Sequence, residues 1–489
     1  MLMITLPPFA REIMDESMAW MDARFDPAVG LLLLAGQPGD APRHIVREST
    51  YYALGLLARG EVGRAVGVLR AVLANQIDEP GAVYHGTFLR YPQEPHPLPG
   101  AVEWRDYDPN WRDFIGTGFA LALIYFERDL PADLLAAIDH AFRLAVEGTL
   151  ARAVRPGYTN IALMDAYLLH YAGQRLGEPA WCAAGETLAQ QVYNLFRPTG
   201  AFEEYNSPTY YGTDLYALAL WRGFSGSALL RDLGAAMEAD LWRDIAGYYH
   251  AGLRNVAGPW DRSYGMDMTR YAALQGLWIW LGVGRGLAPF PVTTRPFEHA
   301  FDLGFGPCAA LTGTAIPADA LAHFQAFQGA RRVERTIETA PLRIATAWIG
   351  EQVMLGAEHT GQVKRGYYQF HPLTIHWRAA SGPVGWAKLV HSHPVDVTAH
   401  DGSLALEGRG ELAFRVYSPG GAEIDPAEWR LDGLGVRVTA APRPVSAMGF
   451  SVTRAQDAAH PDLDLYEIHY DFGEEETVRM TIEVTLLAR

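Results

Sequence analysis

Two kinds of helix alternate through the first 284 residues of this chain, and that alternation restricts its fold more than any other feature. RGEVGRAVGVLRAVLANQI, PADLLAAIDHAFRLAVEG and EPAWCAAGETLAQQVYNLF pair an apolar stripe with a mixed-charge face, as a helix with one side in water does. ALALIYF, NIALMDAYLLHY and AALQGLWIWLG are apolar almost all round and predict helices enclosed on most sides. Polar markers precede the enclosed helices at Asn110, Asn160, Asn206 and Asp261, with separations of 50, 46 and 55 residues. Such a period fits one helical hairpin per repeat. The expected arrangement is an incomplete (α/α) toroid of five or six hairpins with the apolar helices inside, although an open helical array would alternate similarly. In a closed ring the inner helices start at one end, so the markers and their polar neighbours would converge there.

A Pro- and Thr-containing stretch, LAPFPVTTRPFEHA, ends the helical period, and beyond it the period becomes two. RIATAWIG, VGWAKLVHS, GELAFRVYS and VRMTIEVTLLA are rich in β-branched and aromatic residues and are separated by turn signals such as DGS and PGG. Strands at this spacing without intervening helices predict an antiparallel β-sandwich. The expected domains are residues 1–290, the toroid, and 291–489, the sandwich.

Charge narrows the functional classes. The formal net charge is −16 and no Lys/Arg run is present, which argues against a nucleic-acid partner. No apolar run reaches membrane-spanning length, and the N-terminus lacks a secretory pattern, so a cytoplasmic location is expected. Two cysteines, Cys182 and Cys308, make neither a disulfide framework nor a zinc spacing, and HExxH, P-loop, GxSxG and dinucleotide fingerprints are missing. No metal or cofactor is expected.

The segment GAFEEYNSPTYYGTDLYAL gathers Glu203, Glu204, Tyr205, Asn206, Tyr210, Tyr211 and Asp214 at one helix start. Capping by Asn206 or Ser207 would explain Asn-Ser-Pro but leaves the tyrosines and carboxylates unexplained. Tyr210 and Asp214 share a helix face, whereas Tyr211 is turned by about 100°. In GPWDRSYGMDMTRY, Arg262 is a candidate to bind a carboxylate and to lower a tyrosine pKa, Tyr264 a second proton carrier, and Trp260 a sugar-stacking platform. The long loop before Asn110 and Trp111 adds His85, and Tyr158 sits two residues before Asn160. His359 is expected in a Gly-bounded turn of the sandwich.

Helical hairpins followed by strands, with Asn and Tyr at the inner-helix starts, resemble the polysaccharide lyases that join an α/α toroid to an antiparallel sandwich, including the heparinase II/III-like and alginate-lyase-like groups. The resemblance implies β-elimination on a uronate glycan, with Asn160 neutralising the substrate carboxylate and Tyr and His transferring protons. Tyr210, Tyr211, Tyr264 and His85 are then the proton-transfer candidates; Asn110, Trp111, Tyr158, Glu204, Tyr205, Asn206, Trp260, Arg262 and His359 are the substrate contacts. The expected partner is an anionic oligosaccharide, with neither nucleic acid nor membrane. Glu203, Glu204, Asp214, Asp261 and Asp267 leave a glycoside hydrolase open as the alternative. A non-catalytic glycan binder using Trp104, Trp111 and Trp260, or a small-molecule isomerase or dehydratase, is also compatible with these residues.

Overall fold

The computed structural model describes residues 4–34, 41–362, 369–391, 394–473 and 477–487. Its helices are α1 (Pro8–Asp22), α2 (Val46–Ala58), α3 (Val62–Leu73), α4 (Trp111–Phe126), α5 (Ala132–Arg152), α6 (Thr159–Leu176), α7 (Pro179–Phe196), α8 (Tyr210–Phe224), α9 (Ala228–Tyr248), α10 (Leu274–Val283), α11 (Gly306–Thr312) and α12 (Ala318–Gln325). Among these described residues, no helix is long and apolar enough to cross a membrane.

Contacts divide the chain into two compact units. One comprises residues 1–196, 211–239 and 272–315; the other comprises 197–210, 240–271 and 316–489. The sequence expectation was a single boundary at 290. In the structure the helical unit continues to 315, and residues 197–210 and 240–271, the latter including the end of the helix Ala228–Tyr248, cluster with the strands instead.

Within the first unit the two helix types separate as their patterns require. Outer α7 buries only Gly185, Ala189, Val192 and Phe196, one stripe at helical spacing, whereas inner α4 and α6 are buried along almost their whole length. Close approach needs small residues. A Cβ on Gly185 would lie 2.6 Å from the Ala166 carbonyl oxygen of α6, so the α6–α7 hairpin closes backbone to backbone. Gly177 ends α6 in the left-handed conformation, its N–H donating to the Gly173 carbonyl. The inner circuit runs from α2 to α4 to α6. Trp221 of α8 then donates to the Leu163 carbonyl of α6 at 2.8 Å, and Gly212 of α8 abuts Leu274 of α10. Contacts of α10 with α1 and of α1 with α2 complete the incomplete toroid.

The second unit is an antiparallel sandwich. Its eight-stranded sheet runs, edge to edge, through Gly449–Gln456, Asp464–Asp471, Glu411–Ser418, Val384–His391, Leu373–Arg378, Val353–His359, Leu342–Ile349 and Arg331–Thr339. Six strands form the other sheet: Asp396–His400, Ser403–Gly408, Val478–Leu486, Leu434–Ala441, Glu428–Leu431 and Glu423–Ile424. Alternate residues point inward, as in the intermediate–buried alternation over 403–408, and Leu355, Ile375, Phe414 and Ile468 of one sheet share a core with Val397, Leu406, Val436 and Ile482 of the other.

Residues 257–263 are laced onto this sandwich. Trp260 and His371 exchange backbone hydrogen bonds at 3.1 and 2.9 Å, and the Gly258 N–H donates to Thr374 Oγ1 at 2.9 Å. A Cβ on Gly356 would come within 2.2 Å of the Gly258 carbonyl, so Gly356 is needed where the two backbones meet, while a Cβ on Gly258 would crowd the Thr374 side chain at 2.6 Å. The expected helix opening at Asp261 does not form: α10 begins only at Leu274, because the segment from 257 onward is pinned to strands instead.

Candidate active site

Arg262 organises a polar cluster in the second unit. Its Nη2 donates to Tyr210 Oη at 2.6 Å, its Nη1 to Glu204 Oε1 at 2.6 Å, and its Nε to Gln369 Oε1 at 3.0 Å. The guanidinium also lies 4.0 Å from the Tyr210 ring centroid, a cation–π contact. Tyr210 and Tyr264 share a hydroxyl hydrogen bond of 2.7 Å. Tyr210, Tyr264, Arg262 and Glu204 are all partly exposed, so a ligand in solvent can reach them.

The local chain explains how these groups meet. Ser207, rather than Asn206, accepts the Tyr210 N–H at 3.0 Å and caps α8, while its hydroxyl donates to the Arg262 carbonyl at 2.5 Å. Asn206, at φ +48°, instead donates to the carbonyls of Ala257 and Pro259 at 2.8 and 2.9 Å. It is 1% exposed and acts as a clamp, not as the substrate contact expected.

Behind the cluster lies a fully buried ion triad. Arg343 Nη2 donates to Asp261 Oδ1 at 2.8 Å and to Glu358 Oε1 at 2.7 Å, and its Nε reaches the same Glu358 oxygen at 2.9 Å. Asp261 Oδ2 also accepts the Tyr205 N–H at 3.2 Å, so the triad fixes the segment beside Arg262.

Electrostatics revise one expectation. Arg262 does sit against Tyr210, but burial outweighs it and leaves the Tyr210 phenol well above its ordinary value, with Tyr264 and Glu204 raising it further. Tyr210 is therefore protonated at neutral pH. Burial also raises Glu204 despite Arg262, while the carboxylate and phenols around it hold Arg262 in its charged form.

Several expected contacts are interior. Trp260 is wholly enclosed with Met266, Trp386 and Tyr417 and presents no face for a sugar. Tyr205 is likewise enclosed, its hydroxyl donating to Asp244 Oδ1 at 3.1 Å, and Tyr211 is fully buried at the start of α8. Burial arises because the same helix starts that carry polar groups also carry the aromatic packing. His359 ends the strand Val353–His359 rather than occupying a turn, with Nδ1 3.4 Å from Asp396.

In the first unit, Asn160 lies in the first turn of α6 and is 1% exposed, so its amide offers a sugar no surface. His85 uses both ring nitrogens. Nδ1 accepts the Glu79 N–H at 3.1 Å, which places the proton on Nε2, 3.1 Å from Glu147; this buried ring is a structural tie rather than an open base. Trp111 is largely buried, with Arg47 5.4 Å from its ring centroid. Asn110 and Tyr158 do meet: Asn110 donates to Tyr158 Oη at 3.0 Å and accepts from Arg152 at 2.7 Å. Arg152 was not anticipated from sequence, and neither was Gln369 as a ligand of Arg262.

Nearby, Asp113 of α4 and Asp165 of α6 form a buried carboxyl pair. Burial raises both, and repulsion from Asp165 pushes Asp113 further, so Asp113 is the member of the pair that more strongly favours its protonated form. Unfolded aspartates titrate near 3.8, so above that value the native state binds more protons and stability falls as pH rises through the raised range. Asp113→Asn is expected to flatten that fall, measured as urea midpoints across about pH 4 to 8; superimposable slopes for variant and parent would refute the proton held on Asp113.

A family model described as "Domain of unknown function (DUF8769)" matches residues 11–314, or 304 of the 489 positions. The chain belongs to this family. No curated protein matches the sequence of this DUF8769 member. Among solved structures it is similar to heparinase III at 11% identity, with a TM-score of 0.52 over 99% of this chain and 86% of that one. Similarity extends to a heparan sulfate lyase from Pedobacter heparinus at 8% identity (TM-score 0.38, 99% and 85% covered). For chondroitinase AC lyase the identity is 9% (TM-score 0.33, 97% and 83% covered). The DUF8769 chain thus shares the polysaccharide-lyase architecture of helices followed by antiparallel sheets.

Proposed function

We propose that the protein is a cytoplasmic lyase that cleaves a uronate-containing oligosaccharide by β-elimination. One observation carries the reading: two tyrosine hydroxyls 2.7 Å apart, one of them bonded to an arginine, in a partly exposed cluster. Elimination takes the proton from the carbon beside the uronate carboxylate, forms a carbon–carbon double bond and expels the glycosidic oxygen, which takes up a proton. Tyr210, kept as a phenol by burial, is suited to donate that proton. In one concerted relay Tyr264 passes its own proton to Tyr210 as Tyr210 protonates the leaving oxygen, and the Tyr264 phenolate so formed takes the proton from carbon, so the pair ends with the protons it began with. Arg262 steadies negative charge that develops on either oxygen.

The same geometry weighs against hydrolysis. Glu204 is paired with Arg262 and Asp261 with Arg343, Asp214 is fully buried, and Asp267 accepts from the backbone and hydroxyl of Thr269. A hydrolase needs two carboxyl groups facing each other across a cleft, about 5–10 Å apart, with one able to give up a proton.

The test is incubation of purified protein with a panel of uronate oligosaccharides, following the ultraviolet absorbance of the conjugated enoate together with reducing-end release. Absorbance rising in step with new chain ends is expected. Chain ends without absorbance would replace elimination with hydrolysis.

A further inference from the structure

The first unit contains an open cavity of about 960 Å³ between the strand residues 43–45 and the long loop leading to α4. This is the size of a small-ligand site. Arg43 and Tyr91 form one wall, with the guanidinium 5.2 Å from the ring centroid, which holds the cation in place. Arg43 is exposed and, among the described residues, has no carboxylate partner. The opposite side is fixed by Arg90, which bonds Glu94 at 2.8 Å and the carbonyls of Trp104 and Arg105 at 3.1 Å each. Arg105 also lines the cavity, in an exposed pair with Asp106 at 2.7 Å, a kind of pair that an incoming anion can displace at little cost.

Two further features distinguish this cavity from an ordinary surface hollow. The rim alternates prolines at 95, 97 and 99, whose fixed φ stiffens it before any ligand arrives. Beside it, Trp104 is 58% exposed at φ +61°, a conformation that a bulky side chain adopts only when the surrounding backbone imposes it. Arg90 and the Tyr107 carbonyl impose it here, by bonding the Trp104 carbonyl and N–H. The indole is thereby held in solvent, where an aromatic face and a cation together suit a sugar bearing an acidic group.

We propose that this cavity is a second saccharide site, binding the carboxylate of an acidic oligosaccharide through Arg43 and Arg105 and a sugar ring on Trp104. The choice of an acidic sugar rests on the lyase reading; the cavity's cation and aromatic groups do not.

Calorimetric titration of the full chain carrying Tyr210→Phe, which slows turnover, tests it with galacturonate, mannuronate and heparosan tetrasaccharides, and with cellotetraose as the neutral control. At least one acidic tetrasaccharide is expected to bind, with cellotetraose about tenfold weaker or worse. Adding Arg43→Gln should weaken the acidic ligand by about tenfold, and Trp104→Ala by a few fold, with melting temperatures unchanged. Acidic ligands that bind equally with and without Arg43, bind no better than cellotetraose, or do not bind at all would each overturn the site. Failure of the lyase reading looks different: no enoate from the unmodified protein, while Arg43-dependent binding persists.

Discussion

Replacing Arg343 with Met is expected to destabilise the protein by about 3–5 kcal/mol, because it strips two buried carboxylates of their shared cation. Asp261 and Glu358 are at most 3% exposed on their side chains, so water cannot take over Arg343's role. The loss is expected as a lower midpoint in urea unfolding and a lower melting temperature. Combining Arg343→Met with Asp261→Asn and Glu358→Gln should recover part of it, since the remaining amides carry no charge. An unshifted midpoint for the single variant would mean that the triad does not form in solution. The triad also fixes the backbone beside Arg262, so any surviving Arg343→Met protein should lose turnover more than binding.

Removal of one oxygen at Tyr210 is expected to act in the opposite way, on rate and not on folding. Tyr210→Phe deletes the proposed proton donor, and loss of a positioned acid or base lowers kcat by about 10²- to 10⁴-fold. Stability should change by no more than about 1 kcal/mol. The side chain of Arg262 is 22% exposed, so water can replace the lost hydroxyl at Nη2, and the bonds to Glu204 and Gln369 remain. Steady-state kinetics on whichever uronate glycan the parent cleaves, with a melting curve on the same sample, distinguishes these effects. A Tyr210→Phe enzyme that turns over at the parent's rate would remove the tyrosine pair from the chemistry.

The helix types, the change to period two and the grouping of Tyr210, Tyr264, Arg262 and Glu204 were all legible in the sequence, because each depends on local spacing or on two segments of unusual composition. Burial of particular members of those segments was not. Tyr205 and Tyr210 stand five residues apart in the same polar stretch, yet one hydroxyl is committed to Asp244, 39 residues away, and the other meets Arg262. No periodicity distinguishes them, since neither partner lies on the same element. Arg343 did carry a signal. In LRIATAWI it occupies the same parity as Ala345, Ala347 and Ile349, all buried, and a cation on the inward face of a strand requires an acid nearby. The apparent regularity of the four markers misled at Asp261, where the demand of Arg343 for a counter-ion prevails over helix capping.

The wiring of the Arg262 cluster has a consequence for biosynthesis. Tyr210, Arg262 and Tyr264 leave the ribosome well before Gln369, and Asp261 emerges 82 residues ahead of Arg343. At about 5–20 residues per second, a nascent chain carries that carboxylate for several seconds with its cation still unmade. Until translation passes the strand that supplies Arg343, Asp261 lacks the counter-ion that fixes the segment beside Arg262, so the Arg262 cluster is completed only after the strands that follow it have been made.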